Sequence, residues 1–290
     1  MTQAPQTNHC TFKDYLTIKR YAPKTKEGYY RSVTDLSAFY KQPAEQLSSQ
    51  QIQAYLHHLI KNKGLSWSSC NVCFCGLLSF YRDYLGRSEI EFYIPPRTRS
   101  KQIAMLLSRE DVARIINAKT NIKHRALLST VYASGLRVSE VVKLKPEHIE
   151  SQPDRMMIRV EQGKGRKDRY TVLSVQCLHL LREYWREVQP GKWLFFGRDK
   201  NKPMSIGTAQ AIYYQAKKKA GVTRACGIHT LRHSFATHLM EDGTDMFIIK
   251  RYLGHRSIVT TCKYLHLSPA HLRKTISPLD LLYADEEGES

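Results

Sequence analysis

The chain contains no apolar run approaching the roughly eighteen residues a membrane-spanning helix needs. Its opening, MTQAPQTNHCTFKDY, lacks the basic-then-apolar pattern of a secretory leader, so no signal peptide is expected. There is no Walker-type glycine loop and no HExxH, which leaves ATP hydrolysis and zinc hydrolysis without a foothold. Seven cysteines in 290 residues are odd in number and too sparse for a disulfide scaffold, which fits a reducing cytosol. Cys70-x-x-Cys73-x-Cys75 looks like half a zinc site, but a second pair is missing. These thiols share a periodic helix with Leu77, Phe80 and Tyr81, so they read as core residues, and no metal or other cofactor is expected. Acidic residues are also scarce: 26 Asp and Glu face 45 Lys and Arg, a net charge of +19. A chain this basic meets a polyanion, with nucleic acid ahead of a membrane surface.

Hydrophobic residues make up 42% of the sequence, enough for two cores at this length. A break falls at Pro95-Pro96-Arg97-Thr98-Arg99-Ser100-Lys101, where two prolines stop a helix and a basic, aperiodic stretch follows. Residues 1–95 carry 11 basic and 7 acidic side chains, while residues 96–290 carry 34 and 19, so the charge concentrates in the second part. We therefore expect a helical domain over 1–94, a linker over 95–104 and a larger domain over 105–290. The first part reads as helices throughout, through Val33, Leu36, Phe39 and Tyr40, then Ile52 to Ile60 behind a Ser48-Ser49 cap, then Val72 to Leu85. The second is mixed. Ser108 caps a helix, helical period continues over 126–133, and two strand-like runs follow, Met156–Val160 and Tyr170–Leu173. A basic, glycine-bearing hairpin joins them, helical pattern returns from Cys177, and the chain closes on the acidic DEEGES. The fold class is thus mainly α with a small β-sheet: an all-helical N-terminal domain and a mixed α+β second domain.

Four short stretches carry chemistry. In Ala133–Glu140, Arg137 lies between apolar neighbours and needs an anion, either Glu140 in a structural ion pair or a ligand. Lys164, between Gly163 and Gly165, sits where a phosphate could come close, although a solvated basic hairpin explains it equally well. In His229-Thr230-Leu231-Arg232-His233, His229 and Arg232 fall about 60° apart on a helix, with Arg232 inside the edge of an apolar stripe. His233 and His238 read as ordinary helix-surface residues. Leu253-Gly254-His255 is followed nine residues later by Tyr264, one of seventeen tyrosines.

Each signal is soft alone; their order and spacing are not. Arg137, Lys164, His229-x-x-Arg232, Leu253-Gly254-His255 and Tyr264 resemble the motif series of the tyrosine recombinase (phage integrase) family. The wording is close too, in ASGLRVSE, GKGRKDR, HTLRHSFATHL, YLGH and TTCKYLH. The likeness spans about Leu107 to Leu267 and extends more loosely to the N-terminal helices, which resemble that family's core-binding domain. The resemblance implies that Tyr264 attacks a DNA phosphate to give a 3′-phosphotyrosine and a free 5′-hydroxyl. Arg137, Arg232 and His255 then stabilise the charge that develops, Lys164 protonates the departing 5′-oxygen, and His229 takes the tyrosine proton. Glu140 is implied as a support for Arg137. Because the covalent bond conserves the phosphodiester energy, rejoining requires neither ATP nor metal.

The implied partners are double-stranded DNA recombination sites, contacted in part by Lys101 of the linker and by Arg166, Lys167 and Arg169 of the hairpin. The protein is expected to be monomeric when free and a homotetramer on synapsed sites, its apolar C-terminal stretch Leu272–Leu282 docking on a neighbour. The expected location is the cytoplasm, at the nucleoid. The helices start within the first dozen or so residues, so no arm-binding domain is expected, and no inserted helix of the integron kind is expected in the 64 residues between Lys164 and His229. This resembles the simple two-domain Xer or Cre style, with an integron or transposon flavour in FCGLLSFYRDYLG.

Overall fold

The computed structural model describes residues 11–97, 106–118, 121–161, 168–224 and 227–264. By its internal contacts the chain divides into two units, Met1–Lys101 and Gln102–Ser290. The first is helical where described; the second combines helices with a three-stranded antiparallel sheet, in agreement with the fold class expected from the sequence.

In the first unit, local capping starts most helices. Thr11 and Asp14 form a reciprocal capping box at α1 (Phe12–Ile18), and Pro23 opens α2 (Pro23–Tyr40). Ser48 and Gln51 do the same at α3 (Ser49–Lys61), whose Ile52, Tyr55, Leu56 and Leu59 face inward at helical spacing. Ser66 caps α4 (Trp67–Leu78), which continues into a wider π-helical turn, Ser79–Tyr84. Gly76 lets α2 and α4 meet closely, since a Cβ there would stand 3.0 Å from Tyr29 Cα and 3.1 Å from Ser32 Oγ. Cys70 and Cys73 are buried in this core, matching the packing role expected of them. Phe39, Ile60 and Val72 do not match: they are 42%, 37% and 47% exposed. The inward face of α4 runs through Cys70, Cys73 and Gly76, and Val72 lies about 200° around the helix from Cys70.

In the second unit, Ser108 caps α5 (Arg109–Asn117) and Asn121 caps α6 (Ile122–Ser134), after which Arg137 leads the single turn α7 (Val138–Val141). The sheet follows as β1 (Ile149–Gln152), β2 (Arg155–Val160) and β3 (Arg169–Val172). Strand β1 had no signal in the sequence: Ile-Glu-Ser-Gln neither alternates nor carries a strand-forming majority, and it forms because β2 pairs with it, Ile149 opposite Ile158. The last pair of the β2–β3 ladder joins Val160 to Arg169. Helices α8 (Val175–Val188), α9 (Ile206–Lys219), α10 (His229–Glu241), α11 (Met246–Leu253) and α12 (Val259–Cys262) complete the unit. Between α8 and α9 the expected helical pattern gives way to an irregular stretch with one bridge, Phe196 to Pro203.

Helix α10 is covered on nearly every side. Thr230, Leu231, Arg232, Ser234, Phe235, Ala236, Thr237, His238 and Met240 are all buried. His238 is therefore no surface residue; its Nδ1 lies 2.9 Å from Tyr132 Oη of α6. A one-sided stripe in the sequence missed this because the polar side chains of α10 are also enclosed by neighbouring elements.

Candidate active site

Gly135 begins the site. It ends α6 in the left-handed region (φ +62°), and any Cβ would run into the Phe235 ring and come 3.1 Å from Leu253. The turn it allows frees its carbonyl to accept a 2.6 Å hydrogen bond from Arg232. It also presents Arg137 at the head of α7, whose backbone N–H donates to Glu140 Oε2 (2.8 Å) and whose guanidinium donates to Glu140 Oε1 (2.7 Å). The ion pair read from the sequence is present, and it is part of something larger.

Glu140 is the anionic hub. Arg169 from β3 donates to both its oxygens, at 2.9 and 2.8 Å, and Arg232 lies 3.7 Å away. Burial alone would raise the Glu140 pKa, but the Arg169 fork and Arg137 outweigh it and hold the carboxyl at about 2. Arg169, expected on the DNA-facing surface, is instead turned inward: its Nε donates to Tyr252 O at 3.0 Å and its side chain is 10% exposed. A strand-end arginine beside a glycine-bearing hairpin looks solvent-facing in one dimension. Folding brings a buried carboxylate within its reach.

Leu253-Gly254-His255 completes the frame. The Leu253 carbonyl accepts from Arg232 at 2.6 Å. Gly254 is left-handed (φ +62°) and lacks a Cβ where the Arg169 side chain passes; a Cβ would sit 2.7 Å from Arg169 Cδ. His255 Nε2 is 3.3 Å from Arg232, and its Nδ1 is 3.0 Å from Thr261 Oγ1. A guanidinium only donates, so Nε2 accepts and Nδ1–H donates to the threonine. Burial, then Arg232 and Arg137, lower the His255 pKa to about 4, so the ring is neutral. A hydrogen bond from His255 to a phosphate, expected from the sequence, requires the other tautomer.

Arg232 is 4% exposed, with two carbonyls and His255 fixing its plane. Five donors less these three leave two for an anion. Burial and then Arg137 push its pKa well below the usual arginine range, the signature of a cation lacking a full complement of negative charge. Glu140 neutralises one of Arg137, Arg169 and Arg232, so the cluster carries an excess of about two positive charges. It is built to receive an anion.

Tyr264 enters this field from the turn after α12. It is 5% exposed, its ring stacks on His255 (centroids 6.4 Å apart, planes 11° apart), and its Oη lies 2.9 Å from His233 Nδ1. Burial raises the hydroxyl pKa more than Arg232 and Arg137 lower it, so the phenol is protonated at neutral pH. His233, read from the sequence as a surface residue, is thus half-buried against the tyrosine, while His229 remains exposed at the first position of α10. Partial enclosure by protein, then Arg232 and Arg137, lower the His229 pKa. Lys101, Lys164, Arg166 and Lys167 lie outside the described residues, as does the C-terminal stretch from Leu265.

One group outside this cluster brings metal-ligand types together: Glu147, His148 and Glu161. The His148 Nδ1 accepts from the Lys145 backbone N–H (3.3 Å), so its buried Nε2 carries the hydrogen and cannot ligate. The Lys145 ammonium already lies 3.1 Å from Glu147 and 3.5 Å from Glu161. These residues do not fit a metal.

Residues 105–271, which span every described member of the cluster, match the phage integrase family, and residues 10–91 match the phage integrase N-terminal SAM-like domain. This chain belongs to the phage integrase family. It is a site-specific tyrosine recombinase acting on DNA. It is 35% identical to y4qK of Sinorhizobium fredii, an integrase/recombinase by name, over 92% of this chain and 86% of that one. It is 31% identical to tyrosine recombinase XerA of Thermococcus kodakarensis, covering 91% and 92%. Among solved structures, a XerA recombinase crystal structure aligns with a TM-score of 0.54 at 25% identity, covering 96% of this chain and 97% of the other. The Tn1549 transposon integrase in complex with a circular intermediate DNA shares the fold, with a TM-score of 0.68 at 16% identity over 97% and 99%. In this recombinase, as in the sequence reading, no described helix is long and apolar enough to cross a membrane.

Proposed function

We propose that this recombinase cuts DNA by attack of Tyr264 on a scissile phosphate, forming a 3′-phosphotyrosine and releasing a 5′-hydroxyl. The observation that carries this reading is a buried tyrosine hydroxyl beside a cluster of Arg137, Arg169 and Arg232 that shares a single carboxylate. Arg137 and Arg232 supply the donors that stabilise the phosphorane-like transition state, where charge on the non-bridging oxygens grows. Glu140 and Arg169 hold the Arg137 fork and the Gly254 turn in place, so little reorganisation accompanies the reaction. Lys164 delivers a proton to the 5′-oxygen, and His229 and His255 border the phosphate. Since the tyrosyl phosphodiester conserves the bond energy, a second 5′-hydroxyl reverses the step with no external energy source.

The substrate we infer is a pair of double-stranded recombination sites held by four protomers, because exchange of four strands requires four nucleophiles. The DNA-site part of this reading is supported by a lambda integrase solved as a dimer bound to a core site and a XerH recombinase solved on its difH substrate. Each protomer would join its neighbour through residues 272–282, and the working location is the nucleoid. The test is a nicked suicide substrate with chelator present throughout. The wild-type protein should accumulate a covalent adduct, and Tyr264→Phe should bind the same DNA and form none. An adduct from the phenylalanine variant would place the nucleophile elsewhere.

A further inference from the structure

Resting on Tyr264 as nucleophile, we propose that His233 is the base that takes the tyrosine proton during cleavage and returns it during rejoining. The family resemblance implies His229 for this role, one turn earlier on the same face of α10. Four residues of helix separate the two rings' attachment points by about 6 Å along the axis. That step divides their environments. His229 sits exposed at the first position of α10, with no hydrogen-bond partner among the described residues. His233 sits deeper, and its Nδ1 is 2.9 Å from Tyr264 Oη, within the distance a proton transfer needs.

The direction of that hydrogen bond follows from what surrounds it. Among the described residues the Tyr264 hydroxyl has no other hydrogen-bond partner, so its proton points to Nδ1. Nδ1 must then carry a lone pair, which makes His233 the neutral Nε2–H tautomer. Burial, then Arg232, His229 and Lys263, all disfavour the imidazolium, so the resting ring is ready to accept a proton. As the phosphate enters, its negative charge offsets those cations and makes the transfer easier at the moment it is needed.

The step balances. The Oη–H proton passes to Nδ1, the phenolate oxygen bonds to phosphorus, the P–O5′ bond breaks, and the 5′-oxygen takes its proton from Lys164. In rejoining, the incoming 5′-hydroxyl gives its proton to Lys164 and bonds to phosphorus, the P–Oη bond breaks, and Nδ1 returns the proton to the tyrosine. An imidazolium beside Arg232 is strained enough to favour that return. His229 is left to donate to a non-bridging oxygen at the open face.

The experiment uses the full-length protein in single-turnover cleavage of a nicked suicide substrate, with either tyrosine or 3-fluorotyrosine at position 264. His233→Asn is the informative variant, since its amide reaches the place of Nδ1 and accepts a hydrogen bond, yet cannot take a proton. We expect it to bind site DNA as the wild type does and to cleave about 10²–10⁴-fold more slowly. The more acidic 3-fluorotyrosine should recover at least tenfold of that loss, and should recover none of the loss in His229→Asn. His233→Gln, whose amide reaches past Nδ1 to the place of Nε2, provides a second variant with the same expected rescue. Cleavage by His233→Asn within threefold of wild type would overturn the proposal and leave His233 a positioning residue. Rescue confined to His229→Asn would return the role to His229. An adduct formed by Tyr264→Phe would overturn both this proposal and the nucleophile it rests on, and is told apart because it does not depend on position 233.

Discussion

Replacing Glu140 by Gln removes the one carboxylate that Arg137, Arg169 and Arg232 share while keeping its shape. The cost follows from its pKa, about 2 in the folded protein against an ordinary 4.5. That difference corresponds to about 3 kcal/mol of stability at neutral pH, in line with the roughly 3–5 kcal/mol typical of breaking a buried pair. Little of it is lost to screening, since the Glu140 side chain is 8% exposed. A depressed carboxylate contributes in full above its unfolded pKa and loses its contribution as pH falls toward the folded value. The window is therefore about pH 4.5 down to about pH 2. Urea unfolding followed by tryptophan fluorescence measures this in a Trp67→Phe background, where Trp185 and Trp193 report the second unit alone. Glu140→Gln should lower the urea midpoint by about 1–1.5 M at pH 7. The difference from the parent should shrink to about half or less by pH 3. Inorganic phosphate or site DNA should stabilise the variant no less than the parent, since the excess positive charge has grown. A difference below about 1 kcal/mol at pH 7, or one that stays constant down to pH 3, would refute the hub assignment.

Arg137→Ala and Arg232→Lys should each slow single-turnover cleavage by roughly 10²–10³-fold, the loss of a donor aimed at developing charge. Site affinity by gel shift should fall far less, because many other cations carry the counterion term. Gly254→Ala should cut cleavage more than tenfold at nearly unchanged affinity, since its left-handed φ and the passing Arg169 side chain oppose a Cβ; intact cleavage would show that the approach is dispensable. Deleting residues from Ala270 onward should leave single-site binding intact and abolish paired-site complexes on native gels. Persistence of those complexes would exclude the tail as the joint.

What the sequence settled by itself is local. Capping pairs such as Ser48 with Gln51 and Ser108 with Asp111, the period of Ile52, Tyr55, Leu56 and Leu59, and the turns at Gly135 and Gly254 depend on residues within a few positions of one another. The motif series named the recombinase family for the same reason, since each box holds one turn and the side chain it presents. Glu140 could be paired with Arg137 from a spacing of three, yet not with Arg169, which is 29 residues away on a strand whose end looks exposed. Strand β1 existed only as a partner for β2. The contact between His233 and Tyr264 crosses 31 residues and joins α10 to the turn after α12. One turn of α10 separates His229 from His233, and no helical period says which of them the tyrosine will meet. The tertiary structure decides it, because a hydrogen bond is fixed to a few tenths of an ångström by how whole elements pack, whereas a sequence pattern specifies only which way a side chain leaves its own backbone.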